Sequence, residues 1–439
     1  MTGSDHQTVE QESINTVIIG GGLAGLACAA TLARQEDAHR QESDFMVLES
    51  TDRVGGRVRT DVIDGFQLDH GFQVLLTAYP ACQALLDYDA LELCAFEPGA
   101  LIRQHGQFRL LSDPWRRPLK SLATLSNPVG SIGDKLRIAR LRAASGRGTL
   151  DDLYQRAAVP SIERLKADGF SERMIDQFFR PFLGGVFLDE SLQTSSRMLE
   201  FVFRMFAAGD IAVPADGMAA IPRQLADGLP RGSIRLRSTV SSLQVADDHG
   251  SHRVILSNGE SIACRNLVLA TPSTATSNLL GETNRPSEWS GTTNVYYAAK
   301  QARDANQFLM LRGDEPGPVQ TATVISDVAS RYAPPGQSLI SVSVDTSDES
   351  PDGLDDDALD KRLRPQLQQW FGEEASDWRR LHVYRVPFAL PKLPMDDILR
   401  STQTETTGLQ IIGDHVETPS IQGAMNSGIR AANAIASRS

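Results

Sequence analysis

The run Thr16-Val17-Ile18-Ile19 followed at once by Gly20-Gly21-Gly22-Leu23-Ala24-Gly25 leaves the start of this chain little choice of fold. A short apolar, β-branched stretch reads as a strand buried on both faces. The small-residue stretch from Leu23 to Ala33 reads as a helix able to lie close against a sheet. Gly20, Gly22 and Gly25 fit the spacing G-x-G-x-x-G. In it the first glycine makes the tight turn, the second lets backbone approach a pyrophosphate, and the third lets helix touch strand. Leu23 and Ala24 open the helix, whose free N–H groups and partial positive charge favour phosphate. Residues 45–49, Phe-Met-Val-Leu-Glu, read as the second strand. Its last residue, Glu49, would accept hydrogen bonds from a bare ribose and repel a 2′-phosphate. The polar stretch 36–44 reads as a long connecting loop.

At 439 residues the chain is too long for one compact domain, and two are expected. A net charge of −12 with no dominant basic stripe excludes nucleic acid as a partner class. Cys28, Cys82, Cys94 and Cys264 show no C-x-x-C spacing, so neither a disulfide framework nor a metal site is expected. Residues 1–13 are polar and acidic, and no run nears the ~18 apolar residues of a spanning helix. The expected setting is the cytoplasm, or the face of a membrane.

The stretch Asp52-Arg53-Val54-Gly55-Gly56-Arg57-Val58-Arg59-Thr60, with Glu49 before it, resembles the second FAD motif of the flavin amine oxidase superfamily. That group includes monoamine and polyamine oxidases, protoporphyrinogen oxidases and phytoene-type carotenoid desaturases. The resemblance implies an α/β fold: an FAD-binding Rossmann-like domain with an inserted mixed α+β substrate domain. The expected boundaries are 14–76, 210–275 and 405–439 for the FAD domain, and 77–209 and 276–404 for the substrate domain. It also implies that Gly55 and Gly56 let the chain pass close to the cofactor and that Arg57 lies near the pyrophosphate. Many members carry a basic residue two places after the ribose acid, where this chain has Thr51.

Further motifs follow the same family. Residues 69–80, with Gly71, Phe72 and Ala-Tyr-Pro, resemble the segment passing the flavin ring, in wording closest to plant-type phytoene desaturases. Val240, ending the strand read over 234–240, is expected at the adenine. Gly413-Asp414 and the helix opening with Ile421, Gln422 and Ala424 resemble the module holding the ribityl–pyrophosphate portion and the flavin pyrimidine edge. No cysteine follows Cys264, so the FAD is expected to be noncovalent. His70 and Lys392 are the two candidate catalytic groups, each with an ordinary alternative, packing beside a cofactor and lying on the surface.

The substrate side is read as follows. Residues 180–187 resemble an apolar loop lining the chamber of protoporphyrinogen oxidase-like members, and 198–206 are dense in aromatics. The place just ahead of the C-terminal helix reads Val416-Glu417-Thr418-Pro419, without the aromatic that amine oxidases often place there. These features point to hydride transfer from a small apolar substrate to flavin, carotenoid-desaturase-like. Amine oxidation and porphyrinogen oxidation are the alternatives, and a structural FAD on a scaffold protein is the non-enzymatic one. No Ser-His-Asp arrangement supports hydrolysis. Finally, residues 115–120 with a basic helix over 132–142 form the candidate surface for peripheral contact with an anionic membrane.

Overall fold

The computed structural model describes residues 12–35, 43–112, 130–246, 251–282, 288–301, 305–345, 354–395, 402 and 404–438. The glycine-punctuated start forms strand Glu12–Ile19 and helix Leu23–Gln35, the latter buried from Leu23 to Leu32. Phe45–Leu48 and Ser261–Leu269 lie parallel on either side of the first strand, and Leu409–Ile411 pairs parallel with Ser261–Leu269. Ile234–Arg235 extends one side, and the antiparallel meander of His252–Leu256 and Val240–Gln244 extends the other.

Successive residues of the first strand serve two cores, as the period of two requires. Ile18 faces the helices Leu23–Gln35 and Ile421–Ala436, while Val17 and Ile19 face the side of the meander residues. The two helices touch backbone to backbone: a Cβ on Gly428 would sit 2.2 Å from the Ala24 carbonyl oxygen. Ile19 is in register with both Leu48 and Leu269, and Leu269 with Ile411. Four parallel strands therefore end at one level. Gly20, Glu49, Ala270 and Gly413 emerge along that edge, where open α/β sheets bind ligands.

A second sheet has the order Arg379–Pro391, Trp289–Lys300, Gln337–Val344, Val319–Val324, Leu309–Leu311, Gly99–Gln104 and Gln107–Ser112. Helix Asp356–Phe371 packs Leu359, Leu363, Leu367 and Trp370 against one face. The cleft lies at the other face, lined from this sheet by Gln320, Thr321 and Ser343. The hairpin Thr60–Ile63 and Phe66–Asp69 turns at Asp64-Gly65, both at positive φ, as its alternation and turn residues predict.

Several elements differ from the sequence reading. The helix read over 81–91 is only Pro80–Leu85, and the one over 150–173 is three short helices, broken by Pro160 and Gly169. The strand over 234–240 is interrupted at Arg237, which has φ +54°. Residues 180–187 are not a loop. They are helix Arg180–Phe187, with Pro181 in its first turn and a π-helical turn Ile175–Phe179 running directly into it. Residues 115–120 lie outside the described residues, whereas the basic helix is present as Ile132–Ser145, started by a Ser131/Asp134 capping box. Among the described residues no helix is long and apolar enough to cross a membrane.

Candidate active site

A cleft of about 860 Å³ runs from the carboxyl edge of the first sheet to the face of the second. Its floor is backbone. Gly20 sits at φ +112°, and a Cβ on Gly25 would fall 2.0 Å from the Gly20 carbonyl oxygen, so helix and turn meet there without side chains. Gly22 bridges to Gly55, and a Cβ on Gly56 would lie 3.3 Å from the Gly22 Cα. Gly20, Gly22, Leu23, Ala24, Glu49, Gly55, Gly56 and Arg57 all line the cleft. So do Gly71, Phe72, Val240, Gly413, Asp414, Ile421 and Ala424. Gly25 and Gln422 do not. Gly25 is consumed in the turn contact, and the Gln422 side-chain oxygen accepts from the Ala81 N–H at 2.9 Å.

Glu49 is buried and already accepts two backbone N–H groups, Gly21 at 2.8 Å and Thr51 at 2.9 Å. These bonds hold the carboxylate at the strand end with lone pairs left over. Arg57 and Asp414, read separately from the sequence, form a fork: Nη1 to Oδ2 at 2.8 Å and Nη2 to Oδ1 at 2.7 Å. Burial works against the Arg57 charge, but Asp414 outweighs it and raises the guanidinium pKa above its ordinary value. Arg57 also donates to the Ala389 carbonyl at 2.8 Å and stacks on Trp289 at 5.1 Å. At Thr51, the hydroxyl accepts from Arg59 Nη2 at 3.1 Å. A guanidinium therefore does reach this spot, from eight residues further along the chain.

His70 lines the cleft, and its Nε2 lies 2.7 Å from Asp61 Oδ2, which also accepts from the Tyr384 hydroxyl at 2.9 Å. Arg53 holds the other Asp61 oxygen at 3.0 Å. Burial acts to raise the Asp61 pKa, yet the bonds from His70 and Tyr384 outweigh it and hold the carboxyl below its usual range. A carboxylate accepts only, so His70 donates from Nε2 and presents its Nδ1 elsewhere. Behind it Asp69 is buried, accepting from Thr60, the Met218 N–H and Tyr332, and burial pushes its pKa up to about 6. Lys392 is exposed, just past strand Arg379–Pro391, and is not among the lining residues.

The far end of the cleft is a chamber of rings. Helices Arg180–Phe187 and Ser196–Ala208 supply Phe182, Phe187, Met198, Phe201 and Phe206, joined by Phe72 and Tyr79. Tyr79 stacks on Phe201 at 5.8 Å, and Phe182 packs on Phe206 at 5.5 Å. Gln320 gives the chamber a polar spot, its amide nitrogen held by Glu190 at 2.8 Å. Glu190 is in turn held by Arg312, which also pairs with Asp345. No motif announces this chain of contacts, or the Asp61–Tyr384 bond, because Gln320–Glu190, Arg312–Glu190 and Asp61–Tyr384 each join residues more than a hundred positions apart. Among the described residues no group of His, Cys, Asp and Glu could hold a metal ion.

The cleft fits FAD on its own terms. A glycine-lined floor faces a helix start, and two buried polar atoms of its wall, Arg59 Nε and Gln73 Oε1, have no partner among the described residues. Such atoms cost about 1–3 kcal/mol each unless a ligand or water meets them.

A coproporphyrinogen III oxidase of Mycobacterium bovis is 25% identical over 218 residues, 49% of this chain and 45% of that protein. The matched stretch is thus under half the length of this curated relative. Among solved structures, a putative protoporphyrinogen oxidase from Exiguobacterium sp. 255-15 shares the fold at TM-score 0.69 and 16% identity, covering 98% of this chain and 100% of its own. Putrescine oxidase bound to putrescine shares it at TM-score 0.72 and 17% identity, with the same coverage. The family described as flavin containing amine oxidoreductase matches residues 23–436, and the chain belongs to that family of FAD-dependent oxidoreductases.

Proposed function

We propose that this protein removes two hydrogens from an uncharged, apolar substrate, in the manner of a carotenoid desaturase. The observation that carries this reading is the chamber wall. The helices Arg180–Phe187 and Ser196–Ala208 and the second sheet contribute aromatic, aliphatic and neutral polar side chains to the lining, and no charged one. The charged lining residues, Glu49, Arg57, Arg59 and Asp414, all belong to the nucleotide end. An ammonium substrate would enter that chamber without a counter-charge, at a desolvation cost of several kcal/mol.

When bound, FAD supplies the redox chemistry by accepting a hydride from the substrate. The chain's own part is to hold the two together and exclude water. Glu49 would take the adenosine ribose, the N-terminus at Gly22–Ala24 the pyrophosphate, and the start of helix Ile421–Ala436 the flavin edge. None of the four cysteines lines the cleft, which supports noncovalent attachment. The companion proton needs an acceptor, and His70 Nδ1 is the group we assign, its tautomer set by Asp61.

The test is anaerobic mixing of the holoprotein with a polyene, a porphyrinogen and an amine while the flavin absorbance is followed. Bleaching by the polyene is expected. Bleaching by an amine alone would sink the reading. A porphyrinogen is the second reading, favoured by the relative of that name. Flavin that dithionite reduces but no donor does would leave FAD a structural role. His70→Gln is expected to keep FAD and to slow bleaching, since the amide cannot take the proton.

A further inference from the structure

Helix Ile132–Ser145 sets Ile132, Leu136, Arg140 and Ala143 within about 80° of one another around its axis. Ile132 and Leu136, at its start, are each 67% exposed. At its other end a pocket of about 180 Å³ opens toward helix Ser161–Ala167, walled by Arg137, Arg140, Arg147 and Arg164 with Asp168. The negative groups nearby are already engaged. Asp168 accepts from Arg164 at 2.9 Å, and Glu200 from the same guanidinium at 2.5 Å. Arg156 covers the helix's own carbonyl end, donating to Ala144 and Arg147 oxygens at 3.3 and 2.7 Å. Arg137 lies 3.7 Å from Asp134, whose oxygens accept from Ser131 and Ser171. The side chains of Arg140 and Arg147 have no hydrogen bond or ion pair among the described residues.

Guanidinium groups crowded around one cavity repel each other unless an anion sits between them, and their planar forks match phosphate oxygens. In a chain of net charge −12 such a cluster is local and directional. The exposed isoleucine and leucine on the same stripe add what a soluble phosphate has no use for, an apolar contact beside the anion. We propose that Arg140 and Arg147, at the pocket that Arg137 and Arg164 also wall, bind the phosphodiester headgroup of an anionic lipid, with Ile132 and Leu136 resting on the bilayer beside it. This stands apart from the flavin chemistry and is tested without it.

Co-sedimentation of the full chain is measured with phosphatidylglycerol and with phosphatidylcholine vesicles, at low and high salt, and inorganic phosphate is titrated separately. Salt-sensitive binding to the anionic vesicles alone is expected. Arg140→Gln with Arg147→Gln is expected to weaken it about 30-fold, from about fivefold per arginine near the surface. Arg231→Gln with Arg265→Gln, an equal loss of charge elsewhere, is expected to change it little. Ile132→Ser with Leu136→Ser is expected to weaken vesicle binding and leave phosphate titration as it was. The proposal is overturned if the wild type ignores the anionic vesicles, including when it binds phosphate. It is overturned equally if the control pair costs as much as the pocket pair, or if the pocket pair costs nothing.

Discussion

A guanidinium whose fork is already filled cannot do the work of a free one. Arg57 spends two of its N–H groups on Asp414 and another on Ala389, so it reaches a pyrophosphate with what remains. Arg59 is the less committed cation, its buried Nε near Thr51 having no partner among the described residues. Arg59→Gln is therefore expected to weaken FAD binding by roughly tenfold, the scale of one charge-assisted bond. Adding Thr51→Arg is expected to recover much of the loss; titration of apoprotein with FAD reads both. Asp69 makes a prediction of a different kind. Its folded pKa of about 6 lies above the 3.8 of an ordinary aspartate, so folding favours the protonated form. The stability it contributes is complete below pH ~4 and is lost as pH rises toward 6, by at most about 3 kcal/mol. Asp69→Asn keeps the acceptor for Thr60 and Met218 without the titration. Urea unfolding of both proteins is expected to show wild type losing ground to the variant from pH 4 to 6 and holding level above it. A gap that ignores pH would rule this out.

At the scale of elements, the glycine turn, the strand ending in Glu49 and the Asp64-Gly65 hairpin are legible in sequence because each depends on neighbours along the chain. Helix Arg180–Phe187 is not. Its Gly184-Gly185 pair weighs toward a loop, and what holds it helical is tertiary: a Cβ on Gly184 would meet Glu190 at 3.0 Å and Gln320 at 3.3 Å. Contact that close prefers no side chain, and propensity yields to it. The Arg57–Asp414 fork is illegible for a similar reason, since its halves belong to opposite ends of the chain. The same logic makes Gly428 a sensitive point. Gly428→Val would push a branched side chain into the Ala24 carbonyl and part helices Leu23–Gln35 and Ile421–Ala436. A loss of about 1–3 kcal/mol or more is expected, read as a lowered midpoint in thermal unfolding with FAD present.

At the scale of the whole molecule, the nucleotide cleft joins strands whose partners are far apart in sequence, and a cofactor lying across them ties the pieces together. Ligand binding to the folded state alone stabilises by about 2.7 kcal/mol when FAD is at a hundred times its dissociation constant. The unfolding temperature of apoprotein is thus expected to climb as FAD is added, where a ligand of a peripheral loop would leave it in place.

The register that ends Ile19, Leu48, Leu269 and Ile411 at one level also sets a schedule. A ribosome releases the chain from N- to C-terminus, so the Gly20 turn and Glu49 emerge ahead of the partners that complete their site and wait for them. Strand Leu409–Ile411, Asp414 and the helix beyond them arrive long afterwards. Until then Arg57 has no fork to fill and helix Leu23–Gln35 has an uncovered flank. Contacts of such long sequence separation form slowly and leave apolar surface exposed meanwhile. Capture of the flavin therefore waits on the later half of its cradle, and the yellow colour of a folded molecule reports that Asp414 has reached Arg57.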